Sequence, residues 1–84
     1  MRLEQIMERI NSYNGRVGGL DIAIDEFTKA DFVLGCYFDE NKKKWIVYEN
    51  GERGIHFIRL ETDDQKAAFE TLLSMIEYER WIES

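Results

Sequence analysis

The 84-residue chain lacks proline and contains only one cysteine and one histidine. Without proline, no predicted helix or strand is interrupted by a missing backbone amide. A single cysteine excludes an internal disulfide, and a free thiol is typical of a reducing compartment. No apolar run approaches the roughly 18 residues of a membrane span, and the first ten residues lack the continuous apolar core of a signal peptide. These absences predict a cytoplasmic protein that does not associate with a membrane.

An excess of basic residues is also missing, since the net charge is −6 and the pI is about 4.7. Residues 61–84 contain seven acidic and two basic residues, so this segment alone carries −5. Phosphate backbones are bound by clusters of Lys and Arg, and this balance argues against a nucleic-acid partner. An acidic surface suits a basic protein partner, although such a charge also serves simply to keep a small domain soluble.

The strongest local signal is Asn50-Gly51, which lies between the β-forming runs 45–48 and 55–60. A type I′ turn needs positive φ at both central positions, and Asn-Gly meets that need at the lowest cost. We therefore expect a β-hairpin with a type I′ turn. The nearly continuous apolar segment 31–38 predicts the preceding strand. Residues 20–24 alternate as an edge strand does, although they also suit one helical turn.

Helices are predicted at both ends of the chain. Residues 2–13 place apolar side chains at helical spacing, and Asn14-Gly15 is a suitable C-terminal stop. Thr62-Asp63-Asp64-Gln65 matches a capping box at the start of the last helix. The apolar stripe of that helix consists of Phe69, Leu72, Leu73 and Ile76.

These elements predict an α+β fold with the order α-β-β-β-β-α in a single domain, residues 1–84. Terminal helices would flank an antiparallel meander of three to four strands in a two-layer sandwich. Trp45 and Tyr48 fall on opposite faces of their strand, and both faces carry apolar residues. We therefore expect the helices to cover one face of the sheet, and the other face is a candidate surface for a partner.

The sequence offers no set of residues for catalysis. His56 lies inside a predicted strand without an evident orienting partner, and Cys36 lies in the most apolar strand, where a thiol is inert. One histidine and one cysteine cannot supply the three or four ligands of the usual zinc site. No calcium loop or phosphate-binding glycine loop is present. The prediction is a protein that is not an enzyme and has no metal or cofactor.

The segment 35–76 resembles small immunity proteins of bacterial polymorphic toxin systems. Their pattern is a Gly-Cys-Tyr strand, Trp-x-Val-Tyr-Glu, Glu-Arg-Gly and an acidic helix start. The corresponding residues here are Gly35-Cys36-Tyr37, Trp45-Ile46-Val47-Tyr48-Glu49, Glu52-Arg53-Gly54, and Thr62-Asp63-Asp64 leading to Ala67-Ala68-Phe69. The resemblance implies a cytosolic protein that binds a toxin domain, in many cases a nuclease with a basic surface, and holds it inactive.

If this implication holds, exposed acids and aromatic anchors on the two hairpins would contact the toxin. The predicted partner-binding residues are Asp39, Glu40, Trp45, Tyr48, Glu49, Glu52 and Arg53. Because Trp45 and Tyr48 alternate along one strand, at least one of them is expected in the core. Arg53 has an alternative role as a bridge to Glu49 or Glu52 that supports the turn.

Other functions stay open at this point. One alternative is a small non-enzymatic scaffold or regulatory protein of phage or mobile-element origin, which binds a host protein or forms a homodimer through a sheet face or edge. Another is an acidic mimic of nucleic acid. The basic run Lys42-Lys43-Lys44 follows Asp39-Glu40 and is interpreted as a solvated loop.

Overall fold

In the computed structural model, two helices pack on one face of a five-stranded open sheet, which confirms the α+β class. The structure describes residues 1–83, with the backbone alone for Glu83. The elements in chain order are α1 (Leu3–Asn11), β1 (Arg16–Val17), β2 (Leu20–Ile24), β3 (Val33–Asp39), β4 (Lys44–Asn50), β5 (His56–Thr62) and α2 (Gln65–Glu83). The strands lie side by side in the order in which they occur in the chain. No helix in the described part of the chain is both long and apolar enough to cross a bilayer.

The sheet is mostly antiparallel, but β2 and β3 pair in parallel, with Asp21 opposite Val33 and Ile24 opposite Cys36. The antiparallel meander is therefore formed by β3, β4 and β5, and the short β1 is a fifth strand that the sequence did not predict. Parallel neighbours need a crossover connection. Residues 25–32 supply it without a helix, and we call this segment the strap.

The main core lies between the helices and the sheet. The predicted stripe of α2 is buried, together with Ile6 and Ile10 of α1, against Cys36 of β3 and Val47 of β4. Full burial of one such side chain contributes about 1.5–3 kcal/mol. This apolar contact, rather than helix propensity, therefore holds α2 on the sheet.

The β4–β5 hairpin is present, but the prediction of a type I′ turn at Asn50-Gly51 is wrong. Asn50 is the last residue of β4, and Gly51 has a φ of −97°. Positive φ occurs instead at Arg53 (58°) and Gly54 (78°), within a single 3-10 turn. The loop is closed by the Gly51 amide, which donates to the Ile55 carbonyl at 2.8 Å. The reason is that the Asn50 side chain binds the strap and keeps this residue in the strand.

The ends of the helices agree with the prediction in one case and differ in the other. Asn14 and Gly15 have φ values of 57° and 83°, as expected of the stop after α1. At the start of α2, the Asp64 carboxylate accepts hydrogen bonds from the amides of Lys66 (3.0 Å) and Ala67 (3.3 Å). The predicted capping box with Thr62 is therefore wrong by two residues, since Thr62 Oγ1 accepts only from the Asp64 amide.

Candidate functional site: an acidic groove beside an edge strand

A groove of about 680 Å³ lies between α2 and the sheet, beside Glu49 of β4 and Arg59 of β5. It exists because α1 packs along α2 and leaves this corner of the sheet uncovered. Glu49 and Arg59 form its floor, and Tyr78 lies on its helical wall. We call this surface the acidic groove.

The floor of the groove is an ion pair that lies beside a β-bulge. Val47 pairs with Leu60 whereas the next residue, Tyr48, pairs with Ile58, so Arg59 has no partner across the ladder. Phe57 lies opposite Glu49, so alternation along β5 puts Arg59 on the same face as Glu49, and the bulge puts Leu60 on that face as well. There Nη2 and Nε of Arg59 lie 2.9 and 3.0 Å from Glu49 Oε1.

The groove carries more negative than positive charge. Three carboxylates, those of Glu49, Glu70 and Glu79, line it together with one guanidinium, that of Arg59, which leaves a net charge of −2. Glu70 also lies 3.7 Å from Lys66 across one turn of α2, a solvent-exposed pair of little strength. Chemically, this arrangement can hold a lysine or arginine side chain of a partner.

The opposite face of the sheet is covered by the strap, which Asn50 holds in place. Asn50 is only 2% exposed, and its Nδ2 donates to the carbonyls of Thr28 (2.8 Å) and Ala30 (2.9 Å). Its Oδ1 lies 2.6 Å from His56 Nδ1. Because both amide hydrogens are used, Oδ1 must accept, and Nδ1 of His56 therefore carries the proton.

Tyr48 anchors the other half of the strap. Its hydroxyl donates to the Glu26 carbonyl at 2.7 Å, and its ring is fully buried. The ring stacks on His56 and contacts Phe27 and Tyr37, with centroids 5.3–5.9 Å apart. Burial raises the pKa of Tyr48. These contacts give the aromatic cluster a structural role.

The structure places the two predicted aromatic anchors on opposite faces of the sheet, as expected from their spacing. Trp45 is half-buried on the helical face, where its ring packs against Phe38 and Phe69. Tyr48 lies wholly beneath the strap and presents no side-chain surface to a partner.

The predicted acids do not form one patch. Asp39 and Glu40 lie at the β3–β4 turn, where Asp39 Oδ1 accepts from the amides of residues 41 and 42 and Glu40 pairs with Lys43 at 3.6 Å. Glu52 and Arg53 lie at the other end of β4, roughly 20 Å away at about 3.3 Å per residue. Glu49 lies in the acidic groove and pairs with Arg59, not with Arg53.

The residues considered for chemistry lie in structural positions. Cys36 is buried, and burial raises its pKa to about 12, with the charge of Asp25 adding to the effect. A thiol with so high a pKa is a poor nucleophile and metal ligand at neutral pH. Among the described residues, no three His, Cys, Asp or Glu side chains are placed to hold a metal ion.

Sequence reasoning missed Arg59, Glu70 and Glu79 as groove residues. The available signal is the acidic excess of residues 61–84, which indicates a basic partner in general but does not indicate that the contact lies on this segment rather than on the two hairpins. The path of α2 over the sheet, which puts Glu70 and Glu79 in one groove with Arg59, leaves no mark in the residue pattern. No protein-family model, no curated protein and no solved structure matches this chain.

Proposed function

We propose that this protein is a non-enzymatic inhibitor of the immunity type, which binds a basic toxin domain, in many such systems a nuclease, and neutralises it. The observation that supports the proposal is the acidic groove, with three carboxylates and one guanidinium beside an exposed edge strand. The resemblance of residues 35–76 to immunity proteins points in the same direction. The inhibitor would act in the cytoplasm, where Cys36 stays reduced.

The groove suits a basic partner for two reasons. First, α2 and its two preceding aspartates carry most of the negative charge of the chain, with six acidic and two basic residues between positions 63 and 83. Such a field speeds encounter with a positively charged surface. Second, the Tyr78 ring is exposed at the groove wall, and a tyrosine there supplies contact area and a hydrogen bond at the rim of an interface.

The proposal changes which residues are expected to contact the toxin. Glu49 keeps its predicted role, while Tyr78 replaces Tyr48 and Trp45 as the aromatic contact. Asp39 and Glu40 lie at the far hairpin turn beside three lysines. We therefore expect them to contribute to long-range attraction rather than to the contact itself.

The test uses the protein encoded directly upstream of this gene, expressed alone and together with this chain. We expect the upstream C-terminal domain to arrest growth and the wild-type chain to restore it. The double variant Glu70→Lys with Glu79→Lys should lose protection. The matched control is Glu4→Lys with Glu8→Lys, which makes the same charge change on exposed residues of α1.

Single variants sharpen the test. Glu49→Lys places a lysine beside Arg59 in the groove and should weaken binding of the toxin domain, as measured by titration calorimetry. Glu52→Lys lies in the β4–β5 turn and should bind as the wild type does. An upstream product that is harmless, or groove and control variants that protect equally well, would contradict the proposal.

A further inference from the structure

The two edges of the sheet differ in length. β1 has two residues, whereas β5 has seven. In an antiparallel ladder, hydrogen-bonded residue pairs alternate with non-hydrogen-bonded pairs. Gly51 and Ile55 are hydrogen-bonded, so Glu49–Phe57 is the next hydrogen-bonded pair and Tyr48–Ile58 is a non-hydrogen-bonded pair. The N–H and C=O of Ile58 therefore point away from β4, toward solvent.

The first half of β5 lacks the features that protect natural edge strands. Such edges are usually blocked by proline, outward lysine or a bulge. The chain has no proline, and the two charged side chains on β5 are tied inward, Arg59 to Glu49 and Glu61 to Lys42 at 3.2 Å. The bulge begins only after Ile58 and thus guards the second half of the strand.

An apolar patch surrounds this open half of the edge. Phe27 packs on the ring of His56 at 5.6 Å, and the Phe32 amide donates to the Gly51 carbonyl at 3.4 Å, so the ends of the strap lie beside β5 and its turn. We call the following half-exposed side chains the edge patch: Phe27, Phe32, Ile55, Phe57 and Ile58. A cluster of this size on a small protein marks an interaction surface.

The charge around the edge patch is balanced, unlike that of the whole chain. The charged residues within two positions of a patch residue are three basic and three acidic, which gives zero net charge in a protein of net charge −6: Lys29, Arg53, Arg59, Asp25, Glu26 and Asp31. A strongly basic partner would gain little here. A second copy of this acidic chain can approach at this surface without meeting a like-charged one.

The patch is also self-complementary. If two β5 strands pair antiparallel about Ile58, this residue meets its own copy, and Phe57 faces Arg59 of the partner subunit. The Arg59 guanidinium already lies 4.8 Å from the centroid of the Phe57 ring within one chain. The same cation–π contact can therefore form across the pair.

We propose that two copies of this chain form a symmetric dimer in which their β5 strands pair antiparallel about Ile58 and cover the edge patch. The two sheets then join into one of ten strands. The acidic groove of each copy lies on the helical face, next to the dimer contact that Arg59 makes, so that the dimer carries two grooves. Because the bulge limits the pairing to a short segment, association is in the weak class, with a dissociation constant on the order of micromolar.

Sedimentation equilibrium over a range of protein concentrations tests the dimer directly. The wild-type mass should rise from that of one chain to that of two. Ile58→Asp sets two carboxylates against each other at the symmetry axis and should weaken association by at least about tenfold. The matched control is Ile82→Asp, because Ile82 is 50% exposed on α2 and Ile58 is 54% exposed. Circular dichroism should show the same fold for all three proteins.

A second pair of variants separates the backbone from the side chain. Ile58→Pro removes the outward N–H and should abolish dimerisation, since proline is tolerated on an edge strand when its amide faces solvent. Ile58→Ala keeps the N–H and should weaken the dimer less. A wild-type protein that stays monomeric at all concentrations, an Ile58→Asp dimer, or equal loss in Ile82→Asp would overturn the proposal.

Discussion

The ring of Tyr48 in β4 lies directly on Gly35 in β3, so close that any Cβ atom at position 35 would overlap the ring. The two residues face each other across the β3–β4 ladder. Glycine at this position lets the ring lie flat on the sheet, where its hydroxyl reaches the Glu26 carbonyl. The strap is therefore fixed by the absence of a side chain in β3 as much as by its own hydrogen bonds.

We expect Gly35→Ala to destabilise the fold by about 1–3 kcal/mol, because the added methyl group overpacks a buried ring. Urea denaturation measures this change. The control is Gly19→Ala, where a Cβ atom meets nothing within 4 Å, and the change should stay within about 0.5 kcal/mol. Equal effects at the two positions would contradict the close approach of Tyr48.

Asn50→Ala should cost about 2–4 kcal/mol, because it leaves the carbonyls of Thr28 and Ala30 without their donor. Asn50→Asp should be worse at neutral pH, since a carboxylate would then face those carbonyl oxygens, and should recover in part in acid. Thermal melts at several pH values measure both variants. Asn41→Asp, at an exposed turn position, should be nearly neutral and serves as the control.

Alkaline pH should reduce stability partly through Cys36. Its pKa in the folded protein is about 12, above its ordinary value of 9.0, so the unfolded chain releases this proton first. The contribution of the protonated Cys36 thiol to the free energy of unfolding is complete below about pH 9 and is lost as the pH rises toward 12. Urea midpoints at about pH 8 and about pH 10.5 should therefore differ less in Cys36→Ala than in the wild type.

The two tyrosines with raised pKa values, Tyr37 and Tyr48, act in the same direction, so Cys36→Ala should retain part of the pH dependence. A thiol reagent provides an independent readout. It should label wild-type Cys36 only at the rate of unfolding, and rapid labelling of the folded protein would show that the thiol is not buried.

Asp64→Ala should destabilise the protein by about 1 kcal/mol, because Asp64 accepts from two amides in the first turn of α2. Thr62→Ala should cost less, since the Thr62 hydroxyl accepts only from an amide that precedes the helix. Urea denaturation of the two variants compares them directly. A larger loss in Thr62→Ala would return the N-cap to the position predicted from the sequence pattern.

The sequence predicted those parts of the fold in which one local pattern decides the structure. The periodicity of Leu3, Ile6 and Ile10 suffices for α1, and the run Phe69, Leu72, Leu73 and Ile76 suffices for α2. The hairpins around β4 followed from alternating β-formers. In each case the residues that form the element also carry the signal for it.

The direction of β2 was not predictable, because alternation of Leu20, Ile22 and Ile24 indicates a strand but not its neighbour. The prediction of a type I′ turn at Asn50-Gly51 was wrong for a related reason. Asn50 has the preferred residue type for a tight turn, yet it forms three contacts with residues that are 6 to 22 positions away. Of the predicted interface, only Glu49 lies in the acidic groove, since the groove depends on the path of α2 over the sheet.

The ion pair between Arg9 and Glu77, at 3.2 Å, joins α1 to α2 across 68 positions of the chain. α1 has its main contact in α2, and the strap accepts side-chain hydrogen bonds from Tyr48 and Asn50 of β4. During synthesis, the first 32 residues therefore emerge before α2 and β4, which cover much of their apolar surface. The β3–β4–β5 meander and the short β1–β2 hairpin, by contrast, form from neighbouring residues. We infer that folding on the ribosome waits for α2, so that the domain is completed in one late step rather than from its N-terminus onward.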